Sequence, residues 1–125
     1  MPTIPESVRK AWDDRERATV LTTVDKDGVP NSIYASSVSM FGDGKIVIAN
    51  NYFDKTMKNI ESGSSASILF ITSEKKSYQL KGALEYFSEG EIFDDMKKWN
   101  PEKHPGHGAA VVLVTSIYSG AEKIL

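Results

Sequence analysis

Residues 18–24, Ala-Thr-Val-Leu-Thr-Thr-Val, mix apolar and polar side chains in strand fashion. Asp25 to Pro30 is a turn, with Asp27-Gly28 as a hairpin signal. A second strand runs from Pro30 to Met40, with Ser36 and Ser37 its least strand-like part. Phe41 to Lys45 is another tight turn, and Ile46 to Ala49 a third strand. Strand four covers Ala66 to Thr72. After a turn at Glu74 to Lys76, Tyr78, Leu80, Gly82, Leu84 and Tyr86 mark every second position of strand five. Gly82 suits a bulge or a close backbone approach. Ala109 to Tyr118 is apolar almost throughout, as in a strand buried on both faces.

Helical spacing appears three times. Pro5 starts a segment with Val8, Ala11 and Trp12 on one face, reaching about Arg17. Asp54 is placed to cap a short helix from Lys55 to Ser62, with Met57 and Ile60 on one face and Ser62-Gly63 as its stop. Glu89 to Trp99 directs Ile92, Phe93, Met96 and Trp99 toward a core. Asn100 to Gly108 holds two prolines, two histidines and two glycines and reads as a loop. These elements predict a mainly β (α+β) chain, a six-stranded antiparallel barrel with short flanking helices. Closing the sheet removes edges that invite aggregation.

A chain of 125 residues fits one domain spanning 1–125 and can bury a core without covalent staples. The formal net charge of −2, with both signs scattered, gives no basic footprint for nucleic acid. No apolar run is long enough to span a bilayer, and the N-terminus lacks the basic and apolar regions of a signal peptide. The chain has no cysteine, which excludes disulfides, thiolate catalysis and cysteine-ligated metal sites and fits a cytoplasmic protein.

The chemistry-bearing positions are few. Lys55 and Thr56 open a helix, where backbone N–H groups lack intrahelical partners. A charge and a hydroxyl there could hold a phosphate. Equally, Asp54 could cap the helix and leave Lys55 solvated, although a first-turn lysine opposes the helix dipole. Asn31 could stabilise its hairpin, and Ala49, Asn50 and Asn51 could form a turn. His104 and His107 are too sparse for a metal site, and no metal is expected. Asp13-Asp14 and Asp94-Asp95 are adjacent on helices, so their members do not face one another. No Walker, Rossmann-glycine or Gly-x-Ser-x-Gly pattern occurs.

Three segments carry a resemblance: "ATVLTTVDKDGVPNSIYA", "DKTMKNIESGSSASILF" and "YQLKGALEYF". In that order they resemble the split-barrel family related to pyridoxamine 5'-phosphate oxidase, in particular its small single-domain members that bind flavin mononucleotide (FMN). The resemblance implies a split β-barrel with FMN as cofactor. It places the phosphate at Lys55 and Thr56, with Asn31 and Ser32 in reach of phosphate or ribityl oxygens. The backbone around Ile33, Tyr34 and Ala35 would meet the ring edge, and Ala49, Asn50 and Asn51 would let the ribityl chain pass. It also implies a homodimer with the flavin at the interface. The partner wall would come from residues 78–84, 104–108 or 118–125.

Pyridoxamine phosphate oxidation itself is not expected. Its substrate phosphate needs a second, arginine-rich site, whereas the only arginines are Arg9, Arg15 and Arg17, near the N-terminus. The chain also looks too short for that enzyme's C-terminal substrate segment. Three functional readings stay open. One is an oxidoreductase passing electrons or hydride through flavin N5 to an unidentified small-molecule or protein partner, with no catalytic side chain required. The second is a non-catalytic carrier of FMN, haem or a deazaflavin. The third is an interaction module without cofactor.

Overall fold

The computed structural model describes residues 3–125. Strands β1 (Thr19–Val24), β2 (Pro30–Ala35), β3 (Val38–Phe41), β4 (Lys45–Asn50), β5 (Ser65–Ile71), β6 (Ser77–Phe87) and β7 (Gly108–Ser119) form one antiparallel sheet in the order β2-β1-β5-β6-β7-β4-β3. A short β8 (Glu122–Lys123) pairs with β7. The curled sheet is a split barrel, with helices α1 (Glu6–Asp13), α2 (Lys55–Glu61) and α3 (Glu91–Trp99) around it. No helix among the described residues is long and apolar enough to cross a membrane.

Six strands were expected. The second divides into β2 and β3 at Ser36–Ser37, and β8 is too short to leave a periodic signal. The division is where the barrel splits. β2 and β3 are the two ends of the ladder, so the chain rather than a row of hydrogen bonds joins them. Ser37 still contributes its carbonyl to the Ala49 N–H at 3.0 Å.

Register sorts the side chains. Ile33, Leu21, Ile68, Leu80 and Ile117 are successive cross-strand partners, and all but Ile33 are fully buried inside the barrel. The neighbouring row, Tyr34, Val20, Leu69, Gln79 and Tyr118, points outward. There Tyr34 is 82% and Leu69 42% exposed.

One end of the barrel is plugged by α1, which buries Val8, Ala11 and Trp12. Trp12 meets Phe70 edge-on at 5.2 Å, and Phe70 stacks on Tyr78 at 5.3 Å. Such aromatic pairs contribute about 0.5–1.5 kcal/mol beyond their area. The helix ends at Asp13, short of the expected Arg17. Beyond it Arg15 bridges to Thr72 and the Glu16 N–H bonds the Ile71 carbonyl, so pairing with β5 displaces helical bonding. Arg15 lies over the Trp12 ring at 4.1 Å and donates to the Trp12 carbonyl. Burial pushes its pKa below the ordinary arginine value, and the charge of Asp13 opposes that shift.

β4 and β7 are apolar on both faces because each face has cover. Ile46, Ile48, Ala110 and Val112 face the barrel interior. Val47, Ala49, Ala109 and Val111 face α3, where Met96 is buried and Ile92, Phe93 and Trp99 pack around it. α3 begins at Glu91, two residues after the expected Glu89, because Gly90 takes φ +96°, outside helical space.

The β6–β7 register shifts at Lys81/Gly82. A Cβ on Gly82 would lie 1.7 Å from the Leu113 carbonyl oxygen, so this bulge is built on the close approach of two backbones. Gly82→Ala is therefore expected to destabilise the fold by about 1–3 kcal/mol or more, through strand displacement rather than side-chain loss. Urea unfolding of both proteins checks it; a change below about 0.5 kcal/mol would show that the strands part freely here.

Candidate functional site

β2 has a paired neighbour, β1, on one side only. An edge strand leaves alternate N–H and C=O groups without ladder partners. Two cavities lie along β2. One, of about 430 Å³, takes Pro30 and Asn31 from β2, the preceding turn, Lys55, Lys58 and Asn59 from α2, and Ser62 just beyond that helix. The other, of about 290 Å³, takes Ile33, Tyr34 and Ala35 from β2 and the bend Ser36–Ser37 on one side. Ile48, Ala49, Asn51, Tyr52, Phe53 and His104 form its other side. The strand's rise of about 3.3 Å per residue separates Asn31 from Ala35 by about 13 Å.

The first cavity is cationic on balance, with Lys26, Lys55 and Lys58 against Asp25 and Asp27. The Asp25 carboxylate accepts the Asp27 and Val29 N–H groups, both at 2.9 Å, which fixes the hairpin turn and turns that charge toward its own backbone. None of the three lysines forms an ion pair among the described residues. Lys55 is exposed. Thr56 is not: it is 1% exposed, and its hydroxyl accepts the Asn31 amide at 3.3 Å. Asn59 likewise turns inward to the Thr23 hydroxyl at 2.9 Å. Asp54 makes no side-chain capping bond, contrary to expectation.

The second cavity is floored by small and apolar groups and rimmed by aromatics. The hydroxyl of Tyr52, itself 73% exposed, lies 3.0 Å from His104 Nδ1, with the two rings edge-to-face. Asn50 and Asn51 are buried beside it, and their amides serve the fold. Asn50 donates to the Tyr86 hydroxyl at 2.8 Å and accepts the Phe53 N–H at 3.0 Å. Gly108 leaves room for that phenol; a Cβ there would sit 2.2 Å from its oxygen. Asn51 exchanges amide hydrogen bonds with Asn100 at 2.9 and 3.0 Å and accepts the Gly106 N–H. With the His107 N–H on the Asn50 carbonyl and Lys97 on the carbonyls of Pro105 and Gly106, these bonds hold the 100–107 loop.

Of the residues singled out in the sequence, Asn31 and Lys55 share the first cavity, and Ile33, Tyr34, Ala49 and Asn51 share the second. Ser32 stands apart. Strand alternation puts it on the face opposite Asn31, and its hydroxyl pairs with that of Thr22 at 2.8 Å. Sequence reasoning missed Lys26, Lys58, Tyr52 and Phe53 as lining groups, and it offered His104 for the partner's wall rather than for this chain's own cleft. Lys58 was recoverable, because it follows Lys55 by one helical turn. The place of His104 was not, since it depends on side-chain amides that tie a loop to the end of β4. Among the described residues, no group of three or more histidines and carboxylates is placed to hold a metal ion.

Residues 4–119 match the sequence model of the pyridoxamine 5'-phosphate oxidase family. The chain belongs to that family. An uncharacterized protein of Methanocaldococcus jannaschii is 33% identical over 105 residues, covering 79% of this chain and 70% of that one. The crystal structure of Group A Streptococcus HupZ shares the fold with a TM-score of 0.81, at 23% identity over 93% of each chain. An FMN-binding protein from Syntrophomonas wolfei superposes with a TM-score of 0.75, at 25% identity over 91% of this chain and 95% of that one. The family match confirms the resemblance, and these structures agree with the split-barrel architecture.

The Asn51–Asn100 pair is the joint of the site. Asn100→Ala strands a buried amide and also releases the Ser37 hydroxyl, which donates to Asn100 at 2.8 Å. A stability loss of about 1–3 kcal/mol is expected. Faster amide exchange should be confined to the 100–107 loop and the Ser36–Ser37 bend. Uniform acceleration across the barrel would contradict this local role.

Proposed function

We propose that this chain is an FMN-binding flavoprotein, with the phosphate in the lysine-lined cavity and the isoalloxazine ring in the cleft at the free edge of β2. One observation carries the reading: a cationic cavity and an aromatic-rimmed cleft lie end to end along one unpaired strand edge. The residues present fit the group. Ammonium groups from Lys26, Lys55 and Lys58 suit a phosphate dianion, and the outward backbone N–H and carbonyl of Tyr34, between Ile33 and Ala35, offer a donor and an acceptor to a ring edge. Ala49 presents only a methyl where a ribityl chain must pass close. The name of the Syntrophomonas wolfei relative points the same way.

FMN, when bound, supplies electron or hydride transfer at N5, and the reading is therefore of an oxidoreductase. The protein's part is to hold the ring, exclude water and admit a partner. Phe53 and Ile48 give apolar cover, and Tyr52 with His104 forms a polar mouth. A second copy of the chain is proposed to complete the cleft, which is open on one side. The outward row Tyr34, Val20, Leu69, Gln79 and Tyr118, with Gln79 its one amide, is apolar enough to be covered. Sedimentation should give a dimer at micromolar concentration in the flavin-loaded protein. A flavin-loaded monomer would refute the shared site.

The central test is a flavin titration. Lys55→Ala removes a charge-assisted contact of about 1.5–3 kcal/mol, so FMN should bind roughly ten- to a hundredfold more weakly while riboflavin, which lacks the phosphate, is little changed. Lys58→Ala should act in the same direction. Thr56→Ala differs. Because its hydroxyl is buried against Asn31, the loss should appear mainly as about 1 kcal/mol of stability. If FMN and riboflavin affinities fall together in Lys55→Ala, or neither falls, the phosphate does not lie here.

A further inference from the structure

A third cavity, of about 280 Å³, lies across the Ser36–Ser37 bend from the ring cleft and shares the bend and His104 with it. Arg17 and Trp99 line it, with Ser36 and Ser39; no carboxylate does. The other two arginines have fold-building partners. Arg9 donates to the Gly42 carbonyl at 2.7 Å, and Arg15 is seated on Trp12. Arg17 makes no hydrogen bond or ion pair among the described residues. The backbone N–H of His104 bonds the Pro101 carbonyl at 3.0 Å, and its ring Nδ1 meets the Tyr52 hydroxyl. Its Nε2 has no partner among the described residues.

The Arg17 guanidinium and the Ser36 hydroxyl beside a small space, without a carboxylate, favour an anion, and His104 Nε2 adds a donor in the tautomer whose Nδ1 accepts the Tyr52 hydroxyl. The half-buried indole of Trp99 adds a flat apolar wall, held by its N–H on Asp95 at 3.3 Å. The geometry points to a subsite for a small organic anion, a carboxylate carried on an aromatic or apolar group, with Arg17 as its charge partner and His104 between it and the ring cleft. Calling it a substrate subsite rests on the flavin reading; the anion site itself does not. A monocyclic aromatic acid carries both features, a carboxylate for Arg17 and a flat ring for the Trp99 wall.

The probe is benzoate, followed by the indole N–H resonances of the full-length protein. The chain has two tryptophans, and Trp12, buried under the barrel end, is the internal control. Benzoate should move the Trp99 resonance saturably and leave that of Trp12 in place. Arg17→Gln should weaken benzoate at least about tenfold, and the neutral isostere benzamide should bind wild type at least about tenfold more weakly. Lys10→Gln, which removes an exposed charge elsewhere, should leave benzoate affinity unchanged. An unmoved Trp99 resonance overturns the site. So does equal binding by Arg17→Gln, an equal loss in Lys10→Gln, or benzamide matching benzoate. FMN titration of the same proteins separates the two readings. Intact FMN binding without an Arg17-dependent benzoate response removes the subsite alone. A benzoate response in a chain that takes no FMN upholds the anion site and removes the cofactor reading.

Discussion

The rest of the molecule depends on a constraint of sheet closure: β2 and β3 end the ladder, and nothing but two serines of chain joins them. A barrel paired all the way round would have no free edge and no cleft. Here the seam stays open because Ser36–Ser37 bends the strand and directs β2 and β3 to different neighbours. The unpaired edge is then sheltered by α2, by the Tyr52–Phe53 segment and by the loop that carries His104. Both cavities along β2 and the proposed anion site lie along this seam, two of them with the bend in their walls. An edge that would otherwise invite strand pairing is thereby covered.

Much of this was legible in residue order. Alternation in β1, β5 and β6 marks their inward rows, and the apolar character of β7 anticipated cover on both faces, which α3 supplies. Gly82 was readable as a close approach because a glycine in a strand interior needs a reason. The bend was readable only as a weak spot. Two serines lower strand propensity, but whether the ladder continues past them depends on partners distant in sequence. The end of α1 was misjudged for a related reason: Arg15 to Arg17 have helical composition, yet the end of β5 competes for their backbone and prevails.

In the candidate site, charge was easier to read than hydrogen bonding. Lys55 stands out because a first-turn lysine opposes the helix dipole, and it is exposed at the cavity. The amides were harder. Asn31, Asn50, Asn51 and Asn59 look alike in sequence, and each could face a ligand or the protein. In the fold their amide groups bond to Thr56, Tyr86, Asn100 and Thr23 respectively. A buried amide left without partners costs more than a ligand contact returns, so the fold claims them first. What they leave for a ligand is shape rather than bonds.

The pairing of β4 with β7 has a consequence in time. Lys45 lies opposite Leu113 and Asn50 opposite Gly108, so this ladder joins residues 68 and 58 positions apart. Closing loops of that length is entropically unfavourable before any contact repays it, and such ladders form late. The β1–β2 hairpin, whose turn is set by Asp25, can form early and locally. On this order the strand with the free edge is folded well before the opposite wall of the cleft beside it. Newly made chains would pass through a species with β2 paired on one side and bare on the other, and the rate of the β4–β7 closure sets how long that edge stays open to other chains.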